Sequence, residues 1–499
     1  MLSRRAFVGV AGSTAIVRSQ TRKPNFVFLI ADDHAAYAMG CDGNRRAETP
    51  NLDRLAGEGT RFAANYCNAP VCTPSRQSFL TGQMPHAAGV TTLTTSLDPA
   101  KPTVAKQLQA IGYKTAVFGK MHLNRPGSAG LYGFDHMMTE REINAAWPKA
   151  PSSGIDSSLK TKKLPWRPFA DPSRIWLNAD NLPYPRLRAD MRSQFQLNQV
   201  EDYLDQNAGE AFALWVSFME PHSPFDFPLG EAKFQGSQFE APTAGKEDRW
   251  QIPLIFRDLS TEDKQGINAA YYNSVRYLDQ NIGRVIEMLK ARGVYENTFI
   301  VYMADHGYCL GHHGRFEKHC GYDQALRVPL IFRWPGRIRQ GVVNDFTESV
   351  DVPHTILDML GAPELPVRHG QSLRPYMEGR RPESPRTHVF SEYLENEEAF
   401  VRTPTHKFIY CSGKRERTDG YLTDKPTPGR YVRLFDLKKD PGEFTDIAPK
   451  NPKIVAQMQG LMLDRFRKTH PEAPNQPPGS VADSLDWYLR PRDARPKDA

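Results

Sequence analysis

Residues 270–307 read AYYNSVRYLDQNIGRVIEMLKARGVYENTFIVYMADHG. Tyr271, Val275, Leu278, Ile282, Val285 and Leu289 recur at spacings of three and four, so Ala270 to Arg292 is expected to form an amphipathic helix ended by Gly293. Shortly after it, Phe299 to Ala304 (FIVYMA) is a continuous apolar run, the pattern of a strand covered on both faces. Similar runs stand at Asn25 to Ala31 (NFVFLIA), Thr115 to Gly119 (TAVFG), Phe212 to Met219 (FALWVSFM) and Val328 to Arg333 (VPLIFR). Their alternation with helical patterns predicts an α/β fold built on a parallel sheet.

The 499 residues fit about three domains, or one large domain with a smaller one. With 39% apolar and 24% charged residues the composition is that of a soluble globular chain, which excludes a membrane-embedded body. Net charge is +7, a mild bias towards anionic ligands and not the footprint of a nucleic-acid partner. The cysteines at 41, 67, 72, 309, 320 and 411 form no CxxC, zinc spacing or dense disulfide framework. At the start, Met1 to Arg5 is basic and Ala6 to Val17 is an apolar run too short for a bilayer, which needs ~20 residues. Ser3-Arg4-Arg5-Ala6-Phe7 resembles a twin-arginine export signal, which implies a periplasmic or secreted protein with no stable membrane insertion. A disordered basic start is the alternative reading.

The expected organisation is an export signal over 1–22, a main domain over 23–378, a small domain over 379–480 and a charged, Pro-containing tail over 481–499. Within the main domain, residues 124–192 lack sustained periodicity and are expected to form a substrate or lid insertion. Its Trp147, Trp166 and Trp176 either anchor the loop or stack on a ligand. His388 to Tyr393, Lys407 to Cys411 and Tyr431 to Asp436 predict an antiparallel sheet in the small domain, and from Pro471 the chain reads as a surface arm.

Ligands of open α/β sheets sit beyond the carboxyl ends of the strands. Here those ends carry Asp32-Asp33, Lys120-Met121-His122, Glu220-Pro221-His222 and Asp305-His306-Gly307. Parallel strands bring all four groups to one edge, where convergent carboxylates repel one another and call for a hard cation such as calcium or magnesium. Asp32-Asp33 alone is more often a helix N-cap or a solvated turn; the matching Asp305-His306 favours the metal.

The remaining piece is Cys72-Thr73-Pro74-Ser75-Arg76-Gln77-Ser78-Phe79-Leu80-Thr81-Gly82, a helix-compatible stretch that puts Cys72 near a helix N-terminus, where backbone N–H groups favour an anion. This string resembles the C-x-P-S-R signature of type I sulfatases, in which the cysteine is oxidised to formylglycine (3-oxoalanine). Pro24-Asn25 to Asp33, Thr49 to Leu55, Gly119 to His122, Ala304 to Gly307, Arg327 to Leu330 and Leu434 to Leu437 follow in the family order.

The resemblance implies an alkaline phosphatase-like sandwich with a large central, mostly parallel sheet and a smaller C-terminal domain with an antiparallel sheet. It implies Asp32, Asp33, Asp305, His306 and the modified Cys72 as metal ligands, with Ca2+ ahead of Mg2+; the family has Asn or His where this chain has His306. Arg76 would hold the formylglycine hydrate, Lys120 and Lys318 the sulfate oxygens, and His122 and His222 would move protons at the hydrate and at the leaving oxygen. His319 and His86 are secondary candidates. The implied reaction is attack of the hydrate on sulfur and release of inorganic sulfate from a sulfate monoester, with a carbohydrate sulfate favoured by export and by the aromatic, basic insertion. The implied partners are that substrate and a formylglycine-generating enzyme. A phosphonate monoester or phosphodiester hydrolase of the same superfamily is the alternative enzyme, and a sulfated-glycan binding protein the non-catalytic one. Cys72 and the histidines also suit buried structural roles. A Cys309 to Cys320 bridge is left open, as is the pairing of Cys67.

Overall fold

The computed structural model describes residues 23–150, 177–242, 244–245, 252–415, 417–423 and 430–493. The export signal over 1–22, Trp166, Trp176 and the end of the tail lie outside the described residues. Fourteen strands are described: β1 (Asn25–Ala31), β2 (Thr60–Phe62), β3 (Asn65–Tyr66), β4 (Lys114–Gly119), β5 (His136–Thr139), β6 (Phe212–Ser217), β7 (Thr298–Ala304), β8 (Leu330–Arg333), β9 (Gly341–Val343), β10 (Thr347–Glu348), β11 (Val389–Tyr393), β12 (Glu398–Arg402), β13 (His406–Cys411) and β14 (Tyr431–Asp436).

Eight of them form the central sheet in the order β5-β4-β6-β1-β7-β8-β2-β9. β1 lies in the middle, parallel to β6 and β7, with Phe28 opposite Trp215 on one side and Val301 on the other. Every residue of β1 and β7 is buried. Alternate side chains feed two cores: Val27 and Leu29 pack with Leu197, Leu278 and Ile282, while Phe26, Phe28 and Ile30 pack with Phe79, Leu108 and Ile356. Burial on both faces is why these strands are continuous apolar runs without alternation.

β8 differs from the parallel arrangement, because it runs antiparallel to β7 and β2. No long crossover helix separates it from β7; only the 3-10 turn His312–Gly314 and the short helix Asp323–Leu326 intervene. An antiparallel neighbour needs no crossover, so the chain can fold straight back. The long helix covers Thr261–Ala291, starting earlier than its apolar stripe because Ser260 and Asp263 form a capping box. The described part of 124–192 is also more regular than expected. It supplies edge strand β5, parallel to β4, and the helix Glu140–Ala146.

β11 to β14 form a separate antiparallel sheet in sequence order. β12 escapes sequence reading because the charged run Glu395-Asn396-Glu397-Glu398 leads into it, Glu398 being its first residue. Helices Pro452–Thr469 and Val481–Tyr488 cover this sheet, burying Phe390, Phe408, Met462, Phe466, Leu485 and Tyr488 together. Residues 481–493 are therefore packed on the body and form no surface arm. Tyr410 donates to Asp486 Oδ1 at 2.6 Å, and the Asp493 carboxylate accepts from the Thr91 and Thr92 amides at 2.6 and 3.0 Å. Among the described residues no helix is long and apolar enough to cross a membrane.

Candidate active site

The carboxyl ends of β1, β4, β6 and β7 lie side by side and deliver Asp32-Asp33, Lys120 to His122, His222 and Asp305-His306 to one edge of the sheet. The wholly buried helix Cys72–Thr81 points its first residue at the same place and ends at Gly82, whose φ of 69° is the left-handed cap that glycine adopts freely. Asp33 and His122 also have positive φ, 65° and 53°, which turns their side chains at the strand ends.

Around Cys72 Sγ stand His306 Nε2 at 3.2 Å, Lys318 Nζ at 3.3 Å, Asp32 Oδ1 at 3.6 Å and Lys120 Nζ at 3.7 Å. Lys120 also ion-pairs with Asp32, and Lys318 donates to Asp33 Oδ1 at 2.6 Å. Arg76 has no solvent exposure: Nε donates to Asp305 Oδ2 at 2.8 Å, Nη1 to Ser217 Oγ at 2.9 Å and to the Lys120 carbonyl, and Nη2 lies 3.4 Å from Asp32. One guanidinium thus ties together the ends of β1, β4, β6 and β7.

The field is strongly positive at Cys72. Burial pushes its thiol up, yet Lys120, Lys318, His306 and a hydrogen bond from His122 together hold it well below the ordinary range. Asp32, raised by burial and by Cys72, is held below the usual carboxylate range by Lys120, His222 and Arg76. Burial pulls His306 down, but Asp305 overrides it and raises the imidazole to about 9.

Ligand atoms of Asp32, Asp33, Cys72 and His306 all lie within 4.8 Å of one another. Asp33 Oδ2 is buried without a hydrogen bond. Two buried carboxylates, an imidazole and residue 72 make a donor set that fits a divalent cation, and the orphaned oxygen is a free ligand atom for it. Asp305 stands beside this group, its Oδ1 accepting from the amides of Asp33 at 3.2 Å and His306 at 2.9 Å.

His122 Nδ1 is buried and unpartnered, and its backbone is held by Glu140 Oε1 at 2.9 Å. His222 lies at the wall of a cleft, with Nδ1 2.6 Å from the Ser223 carbonyl and Nε2 3.9 Å from Asp33 Oδ2. His319 turns away to Glu317 at 3.2 Å and stacks on Tyr421. His86 is not brought to the site: it bonds Glu392 at 2.7 Å and Thr469 at 2.8 Å, joining the main body to the C-terminal elements. All six cysteines are free; Cys309 and Cys320 approach to 3.7 Å between sulfurs, and Cys67 faces the Ala325 carbonyl. Glu140 and Ser217 were missed by the sequence reading. Thr139 to Glu142 does spell a capping box that signals the helix start, but nothing signals that Glu140 reaches back to the β4 end.

The family model for sulfatases matches residues 24–362, and that for the N-sulphoglucosamine sulphohydrolase C-terminal region matches residues 311–469. The chain belongs to the sulfatase family of the alkaline phosphatase-like superfamily, and with it to the sulfuric ester hydrolases. Among its relatives is an N-acetylglucosamine-6-O-sulfatase of Bacteroides thetaiotaomicron, 25% identical, with 89% of this chain and 86% of the relative covered. Among solved structures, the phosphonate monoester hydrolase of Agrobacterium radiobacter has a TM-score of 0.73 at 22% identity, covering 91% of this chain and 97% of the other. A structure in complex with its substrate D-glucosamine-2-N,6-O-disulfate has a TM-score of 0.67 at 23% identity, covering 90% and 99%. Both likenesses speak for the fold.

Proposed function

We propose that the protein hydrolyses a sulfate monoester of a carbohydrate, with a formylglycine hydrate made from Cys72 as nucleophile. The observation that carries this reading is the convergence on Cys72 Sγ of Lys120, Lys318 and His306, with Arg76 locking the acidic groups behind it. Asp32, Asp33, Asp305, His306 and residue 72 would hold a divalent cation, calcium first, which when bound supplies positive charge beside the sulfate oxygens. Lys120 and Lys318 approach residue 72 to 3.7 and 3.3 Å, a distance suited to donors that stabilise a sulfuryl group being transferred there.

His122 is the group suited to take a proton at residue 72, since its Nδ1 is buried and holds no hydrogen bond. At His222, the Ser223 carbonyl can only accept, so Nδ1 carries a hydrogen and Nε2 is the nitrogen with the mobile proton. That suits it to protonate the leaving oxygen. The carbohydrate preference is supported by the N-acetylglucosamine-6-O-sulfatase relative. Export as a folded chain and maturation by a formylglycine-generating enzyme complete the reading.

The test compares purified protein, co-produced with a formylglycine-generating enzyme, on matched aryl sulfate and aryl phosphonate esters. Faster sulfate turnover that is abolished in Cys72→Ala, lost on chelation and restored by Ca2+ is expected. A faster phosphonate rate would instead place the chain with the phosphonate monoester hydrolases whose fold it shares.

A further inference from the structure

Beside His222 opens a cleft of about 450 Å³, walled by Trp147, Met191, Arg192, Met219, His222 and Asp226. Its volume is in the range of small-ligand sites. Trp147 is fixed there: its indole N–H donates to the Asp190 carbonyl at 2.8 Å, and the Arg186 guanidinium lies 4.9 Å from its ring. The tryptophan therefore both anchors its loop and presents a rigid apolar wall.

Arg192 is the unusual member. Its Nε donates to Asn144 Oδ1 at 2.8 Å, while Nη1 and Nη2 are buried and have no hydrogen-bond partner. A guanidinium carries five N–H donors, four of them on those two nitrogens, and leaving charged donors unmade in a buried place is costly. The fork these N–H groups make matches a planar carboxylate or a sulfate bidentately. Two acidic side chains share the cleft. Glu220 Oε1 accepts from Ser193 Oγ at 2.5 Å. Glu220, Glu140, Asp226 and Asp32 are the acidic groups whose charge reaches the guanidinium, and none of them is hydrogen-bonded to Nη1 or Nη2.

We propose that Arg192 binds a second anionic group, a carboxylate or a further sulfate, on the alcohol portion of the substrate, so that the enzyme selects polyanionic sulfated sugars over singly charged ones. The proposal rests on the sulfate ester hydrolase reading, in which the leaving alcohol passes His222 into this cleft.

The test uses phenyl sulfates bearing a neutral carboxamide, a carboxylate or a sulfonate at the meta or para position, with the holoenzyme and its Arg192→Gln and Arg192→Lys variants. The measured quantity is kcat/KM for each anionic probe divided by that for the neutral one. In Arg192→Gln this ratio is expected to fall roughly 10- to 100-fold, with part of the loss recovered in Arg192→Lys. The probe with the larger fall tells carboxylate from sulfate recognition. An unchanged ratio in Arg192→Gln for both anions overturns the proposal. The same ratios are read as calorimetric affinities in the Cys72→Ala background. There, a ratio that falls with Arg192→Gln while the parent hydrolyses no sulfate ester keeps the anion subsite and removes only the hydrolase reading. Affinities that do not discriminate remove the subsite.

Discussion

Arg76 touches Asp32, Asp305, Ser217 and the Lys120 carbonyl with no access to water, a geometry that a fork of N–H donors satisfies and a single ammonium does not. Arg76→Lys is therefore expected to lower kcat by at least about 100-fold and to lower the melting temperature, measured by steady-state kinetics and calorimetry. Lys318 owes its place to Asp33 and to the buried Glu317 before it. Lys318→Ala should cost about 10²- to 10³-fold in kcat, the scale of one preorganised donor. Burial pushes the Glu317 carboxyl up, but the charge of Arg315 and a hydrogen bond from the His319 side chain override it and hold the group at about 2. With the folded pKa below the unfolded value, its stabilisation is full above about pH 4.5 and is lost as pH falls towards 2. Denaturant melts between pH 5 and 2.5 should show that loss in the wild type and a shallower slope in Glu317→Gln.

At the level of elements, β4 and β6 meet so closely at Gly119 that a Cβ there would lie 1.8 Å from the Ser217 carbonyl oxygen, on a residue with φ of 101°. Gly119→Ala should destabilise the fold by about 2–5 kcal/mol and displace Lys120, read as a lower denaturation midpoint together with lost activity. The strands that carry the site were legible because burial on both faces makes them unbroken apolar runs with polar residues directly after, as at Asn25 to Asp33 and Thr298 to His306. The strand at Val328 to Arg333 was legible too, but its antiparallel direction was not, since a strand's direction leaves no mark on its composition. Strand β12, charged at both ends by Glu398 and Arg402, and Arg192, in a stretch without periodicity, were hidden for the same kind of reason: their partners are far away in sequence. Arg402 of β12 bonds Asp323, and Arg192 meets Asn144.

Across the whole molecule the C-terminal elements reach back to the site. Arg417 Nη2 donates to the His319 carbonyl at 2.9 Å, and its Nε is held by Asp419, which Tyr393 of β11 also bonds at 2.7 Å. The small sheet thus fixes the loop that carries Lys318. Arg417→Ala is expected to slow turnover about 10-fold, the cost of one charged hydrogen bond, with the protein still folded by circular dichroism. The proposed activity depends on the chemical state of residue 72, where the sheet edge, the buried helix and both lysines converge. Mass spectrometry of the peptide spanning Cys72, taken from protein of known specific activity, tests this most directly. An aldehyde in place of the thiol, in a fraction that rises in proportion to sulfatase activity, is the predicted result; full sulfatase activity from protein whose Cys72 is entirely unmodified would contradict it.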